Sequence, residues 1–307
     1  MTRSRFWRPG PAAYSAGEAP LTGPRLRPRG PRWRRPRRAP QPRRVAVAGA
    51  LLIAALGAIA VLAPSVLPGS PTAIAKDLAL RAPTVNEPFG MDDLGRSVLS
   101  RVIHAYRVSL GVALGSVALA LAIGAPLGLV AGYAEGWPDQ LIMRPLDVIM
   151  AFPAVLLAIA LMSVFGTGVV LVSIALAVVY TPVIARVVRA AVLATKVEVY
   201  VDGARALGAT TWRLVLGHIL PNALTPILVQ ASVLMAIAIL VEAALSFLGV
   251  GVRPPTPSLG LMLADGRGFM LQAPWMVVFP GLATMLAVLG FNMMADGLRD
   301  WLDPNRA

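Results

Sequence analysis

The sequence predicts an all-α membrane protein with six transmembrane helices. Of its 307 residues, 57% are apolar and only 14% are charged. The mean hydropathy of +0.70 is too high for a soluble domain. Long apolar stretches with few or no charged side chains recur along the chain, and they are long enough for helices that cross a hydrocarbon layer of about 30 Å.

The net charge of +13 comes almost entirely from residues 1–44, which hold thirteen Arg and one acidic residue, Glu18. We interpret these residues as a disordered basic cytoplasmic tail, because an Arg- and Pro-rich segment buries too little apolar surface to offset the entropy of ordering. Positive charge beside a first span favours the cytoplasmic side. Nucleic-acid binding is the alternative, and it is disfavoured because Trp33 is the only aromatic residue of the basic run 28–44.

The first transmembrane helix is predicted at residues 45–67, which contain no charge. A cleaved signal peptide is the alternative, since the small residues Ala73-Ile74-Ala75 follow. However, the basic region and the apolar run are both longer than those of a signal peptide. We therefore expect the helix to be retained and followed by an extracytoplasmic loop, residues 68–107, with an interfacial helix.

The second span, residues 108–134, contains Gly124, Gly128 and Gly132 at every fourth position. Glycines at this spacing leave one face of a helix without side chains, so that another helix can approach its backbone closely. Because they lie within an apolar span, we predict helix packing at these glycines and not phosphate binding.

Residues 148–185 carry no charge over 38 positions, which is too long for a single span. Gly166-Thr167-Gly168 divides them into two predicted spans joined by a tight turn. A cytoplasmic C-terminal tail is predicted at residues 299–307. The spans predicted after the second are residues 148–165, 169–185, 223–248 and 274–295.

Residues 196–221 form the longest polar-bearing segment between apolar blocks. An amphipathic helical pattern runs to Leu207, and Gly208 then occupies the position where a helix ends in a left-handed turn. Two threonines follow and can cap a second helix, predicted from near Trp212 to Pro221. An exposed helix-turn-helix between two spans indicates a docking surface for a partner.

This segment resembles the cytoplasmic coupling loop of ABC-importer permeases. The family pattern is Glu-Ala-Ala, three residues, Gly, nine residues, an apolar position, one residue and Leu-Pro. It is matched here by Asp202-Gly203-Ala204, Gly208 and Leu220-Pro221, with His218 at the apolar position. The shorter acid and Gly203, which costs about 1 kcal/mol of helix propensity relative to Ala, are expected to weaken docking. The predicted ATPase-coupling residues are Glu198, Asp202, Gly203, Ala204, Arg205, Gly208, Leu220 and Pro221.

Other segments also resemble these permeases. In FGMDDLGRSVLSRV, residues 89–102, Met91 and Ser97 replace the Thr and Asp of a pattern found in the peptide- and nickel-importer branch, which puts any charge pairing by that Asp in question. The residues themselves predict a capped, amphipathic interfacial helix there. Residues 242–249 match Glu-Ala, one residue, Leu-Ser-Phe-Leu-Gly, and residues 291–304 resemble the closing segment of the family.

Glu242 is an ionisable residue near the outer end of the fifth span. A carboxylate is costly in lipid, so it should face a protein-lined cavity or a partner helix. Glu242 is therefore a candidate pathway or gate residue, with an interhelical hydrogen bond or interfacial snorkelling as the alternative. The family pattern does not distinguish between these roles.

The resemblance covers nearly everything beyond the basic tail and is closest to the second permease subunit of dipeptide, oligopeptide and nickel ABC importers. It implies the type I ABC-importer permease fold, with the permease core at residues 108–298. It also implies three kinds of partner: a second permease subunit, two ATP-binding subunits and an extracytoplasmic solute-binding protein. The expected location is a bacterial plasma membrane, with both termini in the cytoplasm.

The composition argues against catalytic and metal chemistry in this chain. It has no Cys and only two His, His104 and His218, so a metal site is not expected. Neither of its two lysines, Lys76 and Lys196, follows a Gly, as a phosphate-binding P-loop requires. We expect no enzyme activity and no cofactor here, with ATP and Mg on partner ATPases.

Small peptides are the expected substrate, and nickel or another small solute is the alternative within the family. Peptides are preferred over nickel because Cys is absent and His is scarce. A stand-alone channel is an alternative of another class, but no ring of pore-lining charges is evident. An exporter permease would normally lack the coupling pattern.

Overall fold

The computed structural model of the chain describes residues 42–66 and 70–301, and the regular secondary structure there is helical. The predicted basic tail lies outside these residues except for its last three, which begin the first helix. In chain order the helices are α1 Pro42–Val66, α2 Val98–Ala134, α3 Gly136–Met150, α4 Ala154–Phe165, α5 Val169–Thr195, α6 Val199–Ala206, α7 Thr211–Leu214, α8 Leu220–Phe247, α9 Leu259–Gly266 and α10 Trp275–Trp301.

Within those ranges, five helical segments are long and apolar enough to cross a membrane: α1, α2, α5, α7 with α8, and α10. The predicted third span, residues 148–165, differs, because α3 and α4 are bent by 90° at the break between them. Pro153 at the break lacks an N–H and disfavours helical backbone at Phe152. With 12 residues, α4 is about 18 Å long. A sixth span therefore forms only if α3 and α4 count as one bent span.

Helices in the described residues extend beyond the predicted bounds of their spans, and α10 continues past residue 295 to Trp301, inside the predicted C-terminal tail of residues 299–307. α2 begins well before residue 108, where the Ser97 hydroxyl caps it by accepting a hydrogen bond from the N–H of Ser100. The predicted interfacial helix is therefore the first part of α2. α5 continues past residue 185 to Thr195, and α8 is preceded without a break by α7. Charged residues mark where a span leaves the apolar layer, but they do not end the helix.

The predicted glycine face of α2 lies against α5. A Cβ atom at Gly124, Gly128 or Gly132 would lie 2.7, 2.3 or 2.9 Å from a backbone oxygen of α5. These distances are shorter than van der Waals contact, so only glycine permits this approach. In lipid, close contact of this kind is a main source of helix association.

α1 packs on α10 through a second set of small residues. A Cβ atom at Gly49 would lie 2.5 Å from the backbone nitrogen of Met294, and one at Gly297 would lie 2.3 Å from atoms of Ala46. The remaining face of α1 is largely exposed and apolar, as expected for a helix that borders lipid.

We expect Gly128→Ala to destabilise the protein, because the added methyl group forces α2 and α5 apart. Overpacking of this kind costs about 1–3 kcal/mol. The measurement is thermal unfolding of the purified protein in detergent. Gly111→Ala in the same helix is the matched control, since a Cβ atom there meets nothing within 4 Å. Equal melting temperatures for the two variants would contradict the packing assignment.

Candidate functional site

The segment between α5 and α8 forms an exposed helix and a glycine turn. α6 ends at Ala206, and Gly208 follows with a φ of +83°. The N–H of Gly208 donates to the carbonyl of Arg205, which closes the last turn of the helix. A Cβ atom at Gly208 would meet nothing within 4 Å, so it is the left-handed backbone that favours glycine here.

The second helix of this segment is not a separate element. It begins at Thr211, passes through a π-helical turn, Val215–Ile219, and continues as α8 to Phe247. The prediction of an end at Pro221 was therefore wrong. Pro221 has no N–H to donate, and the wider turn just before it keeps the chain helical. The second helix of the exposed segment and the following span are therefore one continuous helix, Thr211–Phe247.

α6 has few attachments to the rest of the protein. Val201 is its one buried residue. The Tyr200 hydroxyl accepts a hydrogen bond of 2.9 Å from the Asn222 side chain of α8, and the same amide nitrogen donates to the carbonyl of His218 at 2.6 Å. The rings of Tyr200 and His218 lie 6.3 Å apart. His218, which departs from the family pattern, thus lies beside the tyrosine that links α6 to α8.

Most of the predicted coupling residues are exposed at this surface. Asp202 and Arg205 pair with each other at 2.7 Å, and both are more than half exposed. Large apolar side chains of the same segment are also exposed, Leu207 at 91% and Trp212 at 70%. An apolar surface with a charged pair is typical of a protein docking site. Glu198, Gly203, Gly208 and Pro221 are also exposed, whereas Ala204 and Leu220 are half-buried.

The end of α5 is held by a lysine that the sequence analysis did not select. Lys196 donates to the carbonyls of Gly132 and Tyr133 at 3.2 and 3.5 Å and pairs with Glu135. Those carbonyls lie at the C-terminal end of α2, where a cation interacts favourably with the helix dipole. Lys196 is one of only two lysines in the chain, and that rarity was the available signal.

Two further ion pairs connect α3 to α5. Arg189 donates through two nitrogens to the two oxygens of Asp139 at 2.6 Å each, and Arg186 pairs with Asp147 at 2.5 Å. Such a bidentate pair restricts orientation as well as distance. α3 and α5 are therefore held together near the end of α5 that leads into α6.

Glu242 is fully buried and accepts hydrogen bonds from hydroxyl groups. Ser109 of α2 donates at 2.7 Å and Ser246 at 2.8 Å, and the Ser246 hydroxyl in turn accepts from the N–H of Val252 in the segment before α9 at 3.1 Å. This is the interhelical alternative of the sequence analysis, because the carboxyl joins α8 to α2 and to the segment before α9. Glu242 does not line an open cavity in this conformation.

The loop before α2 folds around a buried aspartate. Asp92 is 1% exposed and accepts hydrogen bonds from the N–H groups of Leu94 and Arg96. The Arg96 and Arg101 side chains also donate to it, at 2.6 and 2.5 Å. Arg101 reaches Asp265 of α9 at 3.3 Å, so the network ties the loop to the segment between the last two spans.

Ser97, which replaces the Asp of the family pattern, makes no ion pair. It caps α2, and its hydroxyl donates to Glu87 at 2.7 Å. The charge pairing at this end of the molecule is instead made by Asp92 with the two arginines. Among residues 42–66 and 70–301, no group of His, Asp or Glu side chains is arranged to hold a metal ion.

Comparison with known proteins places this architecture among transport proteins. Residues 124–307 match the family model described as "Binding-protein-dependent transport system inner membrane component". The chain is 42% identical to the dipeptide transport system permease protein DppC of Alkalihalophilus pseudofirmus over 272 residues, which are 89% of this chain and 90% of that protein.

Two further relatives have a similar sequence identity to this chain. Identity is 42% over 261 residues with the glutathione transport system permease protein GsiD of Pectobacterium atrosepticum, covering 85% of this chain and 87% of that protein. Identity is 43% over 265 residues with the di/tripeptide transport system permease protein DppC of Pseudomonas aeruginosa, covering 84% of this chain and 88% of that protein. A chain of the solved MetNI methionine ABC transporter aligns with a TM-score of 0.49 and 15% identity, covering 64% of this chain and 96% of that one.

We expect Asp92→Asn to lower the melting temperature of the purified protein strongly. The change leaves Arg101 with Asp265 as its remaining ion-pair partner. Removing one partner of a buried ion pair costs about 3–5 kcal/mol.

The neighbouring Asp93→Asn is the matched control for that measurement. Burial and the charge of Asp92 raise the pKa of the Asp93 carboxyl, so its ionised form destabilises the folded state at neutral pH. Asp93→Asn should therefore leave the melting temperature unchanged or raise it. Any gain should disappear as the pH falls below the unfolded pKa, where both states bind the proton. Equal decreases in melting temperature for Asp92→Asn and Asp93→Asn at neutral pH would contradict the assignment of the buried ion pair to Asp92.

Proposed function

Since this chain belongs to the family of binding-protein-dependent transport system inner membrane components, we propose that it forms half of the translocation pathway of an ATP-driven importer of small peptides. The observation that carries the proposal is the exposed surface of α6, joined to the continuous helix of α7 and α8. The partners are a second permease subunit, two ATP-binding subunits and an extracytoplasmic solute-binding protein. ATP and Mg belong to the ATP-binding subunits, and this chain carries no cofactor.

Small peptides are proposed as the substrate because the relatives are named for dipeptide, di/tripeptide and glutathione transport. The alternative within the family, nickel, has less support in this chain. Cys is absent, and the two His lie far apart, on α2 and in the π-helical turn before α8. The location that fits is a bacterial plasma membrane, with the basic tail, α6 and the C-terminus in the cytoplasm.

An ATP-binding subunit docks on α6 in this proposal. The exposed apolar side chains of Val199, Leu207 and Trp212 provide surface that a partner can remove from water. Burial of such apolar surface contributes about 25 cal/mol per Å² to the gross free energy of docking. The exposed Asp202–Arg205 pair on the same helix gives orientation more than affinity.

Movement of α6 reaches the membrane through α8. Closure of the two ATP-binding subunits displaces α6, and the link between Tyr200 and Asn222 transfers the displacement to a helix that continues to Phe247. Near its far end, Glu242 contacts Ser109 of α2, so the motion alters the packing of α8 on α2. The translocation pathway then opens to the binding protein, and ATP hydrolysis restores access to the cytoplasm.

Gly208→Asp is expected to abolish ATP-dependent uptake of a radiolabelled dipeptide by the assembled complex. The new side chain is strained at a φ of +83°, and it adds negative charge to the docking surface. Uptake is measured in a strain that lacks the native subunit, with nickel uptake measured in parallel.

The amount of Gly208→Asp protein in the membrane is the control for assembly. Normal uptake by an assembled Gly208→Asp complex would contradict the coupling role. Uptake by the unaltered subunit without ATP-binding subunits would contradict the importer. Uptake of nickel without dipeptide would overturn the substrate and leave the coupling role intact.

Tyr200→Phe is expected to uncouple ATP hydrolysis from transport. It removes the hydroxyl that joins α6 to Asn222 and leaves the aromatic ring in place. A hydrogen bond of this kind is worth about 0.5–1.5 kcal/mol, so the amount of peptide moved per ATP should fall about two- to tenfold. Both rates are measured on complexes in proteoliposomes.

The double variant Tyr200→Phe with Asn222→Ala is the control for the link. If the two side chains act through one hydrogen bond, the double variant should be no worse than Asn222→Ala alone. Fully additive losses would show that the two residues act separately.

A further inference from the structure

A polar pocket of about 500 Å³ lies between α3 and α5, and no residue of α6 lines it. Three arginines and two aspartates contribute its charged side chains. They are Arg144, Arg186, Arg189, Asp139 and Asp147. Since positive charge is in excess and guanidinium groups match the geometry of phosphate oxygens, the pocket favours an anion such as phosphate.

The excess charge belongs to Arg144. Each aspartate of the pocket pairs with one of the other two arginines. Arg144 donates to the side-chain oxygen of Gln140 at 3.1 Å, and among residues 42–66 and 70–301 it makes no ion pair. A guanidinium group carries five N–H donors, so most of those of Arg144 are available to an anion in the pocket.

The pocket lies at the edge of the apolar layer. The uncharged run of residues 148–185 begins directly after Asp147 and ends directly before Arg186. These two residues pair with each other across the pocket, so the chain leaves and re-enters the apolar layer at one level. That level is the depth of lipid headgroups.

The outward face of α3 combines apolar side chains with Arg144. Trp137, Leu141 and Val148 are between 62% and 73% exposed. With Arg144 they follow one another at steps of four, three and four residues, which places all four on one helix face. Because α3 is bent by 90° from α4, it runs along the edge of the apolar layer, where an apolar and basic helix face meets lipid.

We propose that the pocket between α3 and α5 binds the phosphate of an anionic phospholipid, with an acyl chain over Trp137, Leu141 and Val148. Arg144 supplies the charge that the protein itself does not neutralise. Basic pockets between helices at this depth bind anionic headgroups. A soluble anion would use the pocket alone, whereas a phospholipid uses both the pocket and the apolar face beside it.

The test places the complete complex in nanodiscs of phosphatidylcholine. A trace of phosphatidylglycerol or phosphatidylcholine carries a photoreactive diazirine in its acyl chain, and mass spectrometry of peptides measures labelling of the outward face of α3. At equal mole fraction we expect at least about fivefold more labelling by phosphatidylglycerol, the ratio for about one basic residue near an anionic headgroup.

Three variants separate this site from general attraction to the membrane. Arg144→Gln should lower labelling by phosphatidylglycerol to the level of phosphatidylcholine without changing the melting temperature, because Arg144 is exposed. Asp147→Asn should raise the preference for phosphatidylglycerol, because it removes a carboxylate that competes with phosphate for Arg186. Arg299→Gln, at an exposed position in the last turn of α10 and outside the pocket, is the matched control and should keep the preference.

Several results would overturn the proposal. Equal labelling by the two lipids, or a preference that survives Arg144→Gln, would remove the pocket from headgroup binding. Equal decreases for Arg144→Gln and Arg299→Gln would show diffuse attraction, and a decrease for Asp147→Asn would contradict the competition for Arg186.

Two further outcomes would assign the pocket to another occupant. Loss of labelling in excess inorganic phosphate at constant ionic strength would indicate a soluble anion. Absence of labelling of α3 by either lipid would show that another subunit of the complex covers this face. None of these measurements depends on transport, so they stand apart from the test of the proposed function.

Discussion

The close contact between α2 and α5 is the constraint on which the rest of the protein depends. In lipid, burial of apolar side chains gives little drive for helices to associate, so the contact relies on backbone approach at the glycines of α2. That approach brings the end of α2 beside the end of α5, where Lys196 binds the carbonyls of Gly132 and Tyr133. The position at which the chain leaves the bundle toward α6 follows from this packing.

Buried polar groups then specify how the helices are arranged around Glu242 and Asp92. Glu242 is placed between helices, and hydroxyl groups satisfy it. Asp92 accepts hydrogen bonds from two backbone N–H groups and two arginines, and one of these arginines, Arg101, also donates to Asp265 of α9. Because an unpaired polar group costs more inside a protein than at its surface, each network favours one arrangement of the elements it joins. The Glu242 network includes α8 itself, so the proposed motion of α8 would disturb it.

The segment around α6 differs from the rest of the bundle in how it is held. The bundle is fixed by close packing and ion pairs, whereas α6 rests on Val201 and on the hydrogen bond between Tyr200 and Asn222. A helix with few contacts can move without disrupting the core. In the proposed mechanism, its connection to the long helix of α7 and α8 transmits that movement into the membrane. An exposed, weakly held helix on a rigid helix suits an element that responds to a partner.

The sequence by itself determined that this is a helical membrane protein, because the length of an apolar run and the thickness of a bilayer are directly comparable. It also located the turn at Gly208 and the glycine face of α2, since both follow from local spacing. The tertiary structure decided the rest. The bend at Pro153 lies in an uncharged run whose composition resembles a straight span. The partners of Glu242 and Lys196 are distant along the chain, and helix ends beyond the membrane depend on contacts that no local pattern contains.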